Sequence, residues 1–357
     1  MTMNDLTGMT PEELRDFSTE LGEKSFRGGQ IFSWIHQHGS ESFTDMTTLS
    51  KELRRKLESK ATLQAPEVID VTESGETASR KFLFRLTDGM KIESVFLPDG
   101  KRRTVCLSSQ VGCPLDCKFC ATAKMGLFRN LTSGEIVGQL LAVGREIGKR
   151  ITNVVFMGMG EPMLNYDNVI KAASIIHHPE GLNIGSRKIT ISTVGMANRI
   201  RQYADEGHPF KLALSLNAAD DVLRDRLMPI NTKHNLEACI SALDHYSERT
   251  GKRFTVEYVL MAGTNDRPED ATRLAGILKR LDCKLNLIPY NPISGEPFKR
   301  PNRDQLKRFY ELIYSAKRTV TVRWSQGKDI NAACGQLHAE NQRKNFRKVK
   351  SKSIGSQ

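Results

Sequence analysis

No apolar run in the 357-residue chain approaches the roughly 18 residues that a membrane-spanning helix needs. The opening residues, MTMNDLTGMTPEEL, lack the basic stretch followed by an apolar segment that marks a secretory signal. The expected setting is therefore a reducing cytoplasm with no membrane partner. Cysteine is sparse and odd in number: seven residues, at 106, 113, 117, 120, 239, 283 and 334. An odd count without a signal argues against a disulfide framework and leaves metal binding, catalysis or buried thiols. No internal repeat appears beyond an alternation of strands and helices. Acids are in deficit, 41 against 53 basic residues, for a net charge of +12. Such a surplus favours a polyanionic partner, and nucleic acid is the commonest. Between Gln342 and Lys352 acids are missing altogether, while Arg343, Lys344, Arg347, Lys348, Lys350 and Lys352 crowd together. A like-charge block of this kind is usually disordered and often serves as an interaction arm.

What is present is an ordinary globular composition, 39% hydrophobic and 26% charged, long enough for one large domain and a smaller one. The first sixty or so residues read as helices. Thr10-Pro11-Glu12-Glu13 is a capping box with proline at the first helical position. A second helix is expected over 28–37, and a third carries Leu49, Leu53 and Leu57 at helical spacing. The outer face of the third is basic, with Lys51, Arg54, Arg55, Lys56 and Lys60. It is either a solvated face or an RNA-contacting one. A β-meander follows over 80–86, 90–97 and 103–108, with Asp88-Gly89 and Asp99-Gly100 as hairpin turns.

From Thr104 onward strands and helices alternate. Strands are predicted at 104–108, 151–156, 188–192, 211–216, 253–260 and 284–288, each followed by a helix. The first of these helices opens on a capping box, Thr132-Ser133-Gly134-Glu135. Six βα units imply a parallel sheet with right-handed crossovers, too few for a closed eight-fold barrel. The expected fold is α/β: a partial (β/α)6 TIM-like barrel with a small helical N-terminal domain and a β-meander extension. The expected division is 1–62 for the helical, RNA-binding domain, 63–103 for the meander linker and 104–318 for the barrel core. A C-terminal strand and cysteine loop follow over 319–341, then the basic tail over 342–357. In such folds ligands gather at the C-terminal ends of the strands.

The chemistry begins at Val111-Gly112-Cys113-Pro114-Leu115-Asp116-Cys117-Lys118-Phe119-Cys120, a loop after the first parallel strand. Three thiolates in CxxxCxxC spacing can hold three corners of a [4Fe–4S] cluster. Such clusters usually have four cysteine ligands. Here the fourth iron is left for an exogenous one, and the amino and carboxylate groups of S-adenosylmethionine suit that role. This is the arrangement of a radical-SAM enzyme. Structural zinc wants four protein ligands, and no second cysteine pair follows. Gly160-Glu161 comes after the second strand, where glycine lets backbone approach a ligand and a carboxylate can take an ammonium. Ser192, Ser215 to Asn217 and Asn291 sit at further strand ends. Each alone reads as an ordinary loop residue.

Over 27–338 the chain closely resembles the RlmN family, bacterial radical-SAM methyltransferases acting on 23S rRNA and tRNA. The stretches that carry the resemblance are FRGGQIFSWIH, CLSSQVGCPLDCKFCATAKMG, FMGMGEPMLNY, ISTVG, LIPYNP and INAACGQL. The resemblance implies methylation of carbon 2 of adenosine, with Cys113, Cys117 and Cys120 as cluster ligands. It implies cofactor contacts from Gly160, Glu161, Ser192, Ser215, Leu216, Asn217 and Asn291. The family usually has histidine where this chain has Asn217. Carbon 2 of adenine is electrophilic and cannot attack a methyl donor as a nucleophile would. The family's scheme uses two S-adenosylmethionine molecules per methyl, an S-methylcysteine carrier and a transient protein disulfide. By resemblance Cys334 is the carrier, Cys106 the resolving thiol and Glu93 the proton acceptor. The residues alone would leave Cys334 and Cys106 as buried thiols and Glu93 as a strand carboxylate. Cys239 and Cys283 match no functional position and read as core. The resemblance also implies reduced flavodoxin as electron donor, and a monomer is expected. Two other readings stand beside it. One is the related Cfr type, which methylates carbon 8 of the same ribosomal adenosine. The other is a metal-stabilised RNA-binding module without catalysis.

Overall fold

A computed structural model describes residues 3–339 of the chain. The basic block beginning at Gln342 lies outside the described residues. Ten strands form one sheet whose spatial order is the chain order. The first three are β1 (Glu67–Glu73), β2 (Arg80–Arg85) and β3 (Lys91–Asp99), paired antiparallel as a meander. Next, β4 (Arg102–Cys106) is antiparallel to β3 but parallel to β5 (Asn153–Phe156). From there every pair is parallel: β6 (Ile189–Thr193), β7 (Lys211–Ser215), β8 (Phe254–Leu260), β9 (Cys283–Pro289) and β10 (Thr319–Val322). The six expected βα units are present, and β10 adds a seventh parallel strand. The meander is continuous with the barrel sheet through β3 and β4.

The crossovers are helical because their sequences carry helix starts and apolar stripes. Helix α4 (Ser133–Ile147) starts at the N-cap Thr132 with its reciprocal capping box formed. It is followed by α5 (Tyr166–His177), α6 (Ala197–Asp205), α7 (Asp221–Leu227), α8 (Leu236–Thr250), α9 (Pro268–Arg280) and α10 (Arg303–Ile313). Along each parallel strand, alternate residues face the helices or the barrel lumen. On β8, Val256, Tyr258 and Leu260 are fully buried under the helices. Thr255, Glu257 and Val259 face the lumen side, where they line cavities.

The N-terminal helices α1 (Pro11–Glu20), α2 (Phe26–His36) and α3 (Lys51–Lys60) pack onto the outside of this barrel. The Thr10 capping box is formed, with Pro11 at the first helical position. Ser133 Oγ donates to the Gly8 carbonyl at 2.9 Å, and Lys171 Nζ donates to Glu13 Oε1 at 2.7 Å. Both contacts tie the N-terminal unit to the start of α4 and to α5. One apolar cluster runs from Leu6 through the barrel to Leu337, and Cys283 belongs to it. Cys239 is fully buried, its Sγ donating to the Gly195 carbonyl at 3.1 Å.

Candidate active site

After β4 the chain makes a short antiparallel ribbon, Gln110–Cys113 with Gly126–Asn130. Cys113 ends its first strand, and Cys117 and Cys120 lie in the loop between. The loop is fastened by Cys120 N–H to the Cys117 carbonyl at 3.1 Å and by Lys118 N–H to the Leu227 carbonyl at 2.9 Å. All three cysteines, with Phe119, line a cavity of about 160 Å³. Burial pushes each thiol up, Cys113 to about 12. Neutral thiols do not bind iron. A metal's positive charge is what would deprotonate them at such positions. Among the described residues no three Cys, His, Asp or Glu side chains converge as a single-ion site would need. A four-iron cluster takes each thiolate on a different iron, and the residues present fit that group.

Opposite the thiols, the strand ends supply polar groups. Gly160 has φ +98°, and a Cβ there would lie 2.6 Å from the Gln110 side chain. Glycine is required at this point of the cavity wall. Glu161 is buried, with Oε1 accepting Met163 N–H at 3.1 Å and Oε2 accepting Val194 N–H at 3.0 Å. Burial lifts its carboxyl to about 7 despite these bonds. A cationic group beside it would restore its charge. Ser192, Ser215 and Asn217 line the same cavity. Asn217 adopts φ +58°, a left-handed conformation that asparagine tolerates better than most residues. Its Oδ1 accepts Val259 N–H at 2.9 Å, so its side chain fastens β8 to the loop after β7.

Two expected cofactor contacts do not line this cavity. Leu216 is buried, and its carbonyl accepts from Arg224 Nε at 3.1 Å. Asn291 donates from Nδ2 to the Cys334 carbonyl at 3.3 Å and accepts from Arg300 at 3.0 Å. It holds the Cys334 loop.

A second cavity, about 730 Å³, fills the barrel lumen and is lined by both Cys106 and Cys334. Cys106 ends β4, and Cys334 arrives on the loop after β10. Both thiols are free. The loop docks on the cluster loop: Ala121 N–H donates to the Gly335 carbonyl at 2.7 Å, and Thr122 Oγ1 donates to the Leu337 carbonyl at 2.7 Å. Cys334 opens onto the cavity while protein surrounds it, and this enclosure raises its thiol. Burial pushes Cys106 up to about 12, with Cys334 adding to it and the Arg323 guanidinium opposing it.

Glu93 is buried on β3 but lines neither cavity. Its Oε1 faces Lys81 Nζ at 3.2 Å, and its Oε2 accepts His338 N–H at 2.8 Å. The structure thus brings together the three loop cysteines, Cys334, Cys106, Gly160, Glu161, Ser192, Ser215 and Asn217. It leaves Glu93 just behind the Cys334 loop.

Three further residues escaped the sequence reading. Glu257, in the middle of β8, lines both cavities. One of its oxygens accepts from Asn286 Nδ2 at 2.9 Å, and the other is buried without a partner. A carboxylate inside the run FTVEYVL breaks the apolar habit of a parallel strand and is a signal in itself. Arg323 follows β10 immediately and lines the lumen beside the two cysteines. Arg224, fully buried, donates to the Leu216 and Val194 carbonyls and to Asn231, fixing the loops after β6 and β7. Nothing in the helix DVLRDRL marks it.

Comparison with known proteins gives the family and the fold. Residues 4–63 match the family described as "Ribosomal RNA large subunit methyltransferase N-terminal domain", and residues 107–275 match the radical SAM superfamily. A "Probable dual-specificity RNA methyltransferase RlmN" of Symbiobacterium thermophilum is 45% identical, covering 96% of this chain and 93% of that relative. The "Dual-specificity RNA methyltransferase RlmN" of Geobacter sulfurreducens is 44% identical, over 94% and 92%. A crystal structure of a radical SAM methyltransferase from Sphaerobacter thermophilus superposes with a TM-score of 0.90 at 41% identity, covering 94% of this chain and all of that one. The superfamily implies an iron–sulfur cluster and S-adenosylmethionine. No helix among the described residues is long and apolar enough to cross a membrane.

Proposed function

The chain belongs to the RlmN family of dual-specificity radical-SAM RNA methyltransferases, and from that premise we propose that it methylates carbon 2 of adenosine in 23S rRNA and in tRNA. The observation that carries the reading is that Cys334 lines both cavities, the one with the three loop thiols and the one with Cys106. A methyl carrier needs that position, able to load on one side and deliver on the other.

Cys113, Cys117 and Cys120 would hold the cluster. Gly160, Glu161, Ser192, Ser215 and Asn217 would hold S-adenosylmethionine, with Glu161 taking its ammonium. Leu216 would contribute backbone, and Asn291 would act through the loop it pins. Together the bound groups supply an electrophilic methyl and, on reduction, a carbon radical able to take hydrogen from an inert methyl.

Cys334 accepts the methyl on sulfur, a displacement for which thiolate is a good nucleophile. That carbon, after giving up one hydrogen atom to the radical, bonds to adenine carbon 2. Glu93, once His338 releases its Oε2, receives the proton that leaves carbon 2 as the adduct gives up one electron, which the oxidised cluster would take back. Cys106 attacks the sulfur of Cys334 and breaks its bond to the RNA-linked carbon; that carbon keeps the electron pair and takes a proton to become the methyl, and the two sulfurs are left as a disulfide. Arg323, cationic beside both thiols, favours their thiolate forms. The electron donor inferred is a reduced flavodoxin-type protein, the working unit a monomer and the setting the cytoplasm.

One assay tests this. The anaerobically reconstituted protein is given S-adenosylmethionine, a reductant, a ribosomal RNA fragment and tRNA, and the nucleosides are analysed by mass spectrometry. The expected product is 2-methyladenosine from both RNAs. Methylation at carbon 8 or unmodified RNA would overturn the proposal. Cys334→Ala should still bind iron and sulfide yet transfer no methyl.

A further inference from the structure

The barrel lumen changes character from one end to the other. Near the cluster loop it carries thiols, serines and Glu257. At the N-terminal ends of the strands it is cationic. Strand alternation puts Arg102 on the same face of β4 as Thr104 and Cys106, and all three line the lumen cavity. Lys211 opens β7, and Arg187 and Lys188 precede β6, all lining that cavity. Lys284 has the parity of Asn286 and Ile288 on β9 and faces the same way. The five are solvent-exposed at this rim.

These cations repel one another. Burial and then the charges of Lys284, Arg102 and Arg187 lower the pKa of the Lys211 ammonium. Among the described residues none of the five is ion-paired with a carboxylate; the acid lining the same end is Asp99. Self-repulsion in such a ring opposes folding. The ring is suited to a multivalent anion that spreads across it. The exposed face of α3 is partly engaged, with Lys51, Arg55 and Lys60 left exposed. There Lys56 is paired with Glu23 and Glu52, and Arg54 donates to the Thr44 carbonyl at 2.9 Å.

We propose that this N-terminal mouth binds the phosphodiester backbone of the RNA substrate, so that the target nucleotide reaches Cys334 through the lumen from the end opposite the cluster loop. The proposal rests on the RNA methyltransferase reading. Between Arg102 and Cys106 there are four residue rises, about 13 Å of strand at about 3.3 Å each. An enzyme that does chemistry on a base turns the nucleotide out of its stack into a pocket, and a lumen of about 730 Å³ has room for one. The unpartnered oxygen of Glu257 lies along the way and can accept an N–H, such as an adenine amino group. An acidic electron-donor protein would also be drawn to cations. It would then sit a barrel's length from the cluster it must reduce, so RNA is the better occupant.

The test uses the reconstituted holoenzyme and a hairpin RNA with a single-stranded adenosine, titrated by fluorescence anisotropy across salt concentrations. The triple variant Arg187→Gln, Lys188→Gln, Lys211→Gln should bind at least about tenfold more weakly. The slope of log K against log salt should flatten by about 2, three lost contacts at about 0.7 each for single strands. Lys188→Arg with Lys211→Arg, which keeps the charge, should bind as the parent does. Iron content and melting temperature confirm that each variant is folded. Unchanged affinity and slope in the triple variant, with the parent binding RNA, overturns the mouth assignment alone. A triple variant that keeps its RNA affinity but is reduced more slowly by flavodoxin also overturns it. A parent that binds no RNA sinks the function reading itself.

Discussion

Replacing Glu93 by glutamine separates two things this carboxylate can do. It holds the Cys334 loop, because Oε2 accepts His338 N–H at 2.8 Å. Under the proposed mechanism it also receives the proton from carbon 2. A hydrogen bond to a charged acceptor contributes about 1.5–3 kcal/mol and a neutral one about 0.5–1.5. Glutamine keeps an acceptor oxygen, so docking weakens by about 1 kcal/mol, roughly a fivefold rise in the undocked loop population. Lys81 belongs to β2 and not to the loop, so its lost ion pair leaves docking unchanged. A positioned base is worth far more, about 10²- to 10⁴-fold in rate. The assay is an anaerobic single turnover, with product and protein–RNA adduct quantified by mass spectrometry and loop opening followed by amide exchange over 331–339. The expected result is a loss of at least about a hundredfold in product, adduct accumulation and about fivefold faster exchange. A rate that falls only about fivefold, in step with exchange, would refute the base assignment and leave Glu93 as a clasp.

Three other outcomes follow from the site. Cys106→Ala should stop after attachment and accumulate a covalent protein–RNA adduct on denaturing gels; repeated turnover without adduct would remove its resolving role. Burial pushes the Cys106 thiol up to about 12, so its thiolate fraction rises about tenfold per pH unit below that value. Adduct decay should therefore accelerate between pH 7 and 9, and a flat profile would show that thiolate formation does not limit release. Gly335 has φ +84°, and a Cβ there would stand 3.2 Å from the Phe119 carbonyl, so Gly335→Ala should cost about 1–2 kcal/mol of loop docking. S-methylation of Cys334 should slow while iron content holds, and an unchanged methylation rate would show that docking is not needed for loading.

How much of this was legible in the sequence depends on how local each signal is. The helix starts at Thr10 and Thr132 were readable because a capping box is complete within four residues. The start of α2 was placed late, since Ser25 is itself helical and makes no capping bond. Strand β1 went unseen because it is a sheet edge: Glu67, Asp70 and Glu73 interrupt it and most of its residues are exposed or half-buried. That β10 joins β9 is a pairing of distant segments, which no local pattern reveals. The three-cysteine loop stands out by its CxxxCxxC spacing alone. Cys106 and Cys334 do not, because a lone cysteine carries no signal. They meet in one cavity, and the roles proposed for them come from the family resemblance. Glu257 and Arg323 line that same cavity and carry no motif.

The two cavities share seven lining residues, Cys120, Met157, Gly158, Glu257, Ile288, Cys334 and Gly335, so they meet at a common wall and are not remote chambers. This bears on how far the carrier must travel. If loading and delivery were far apart, the loop after β10 would have to swing, and each swing would break its bonds to Ala121 and Thr122. At about 1 kcal/mol net apiece, with the His338 and Asn291 contacts added, full release would cost several kcal/mol per cycle. Under the proposed mechanism, with Cys334 already on the shared wall, a rotation of its side chain would turn the sulfur from one cavity to the other. Only the Glu93 contact must open, and it is the one that frees a carboxylate oxygen. The pinned loop is thus compatible with a mobile carrier: the backbone stays docked on the cluster loop while the sulfur changes sides.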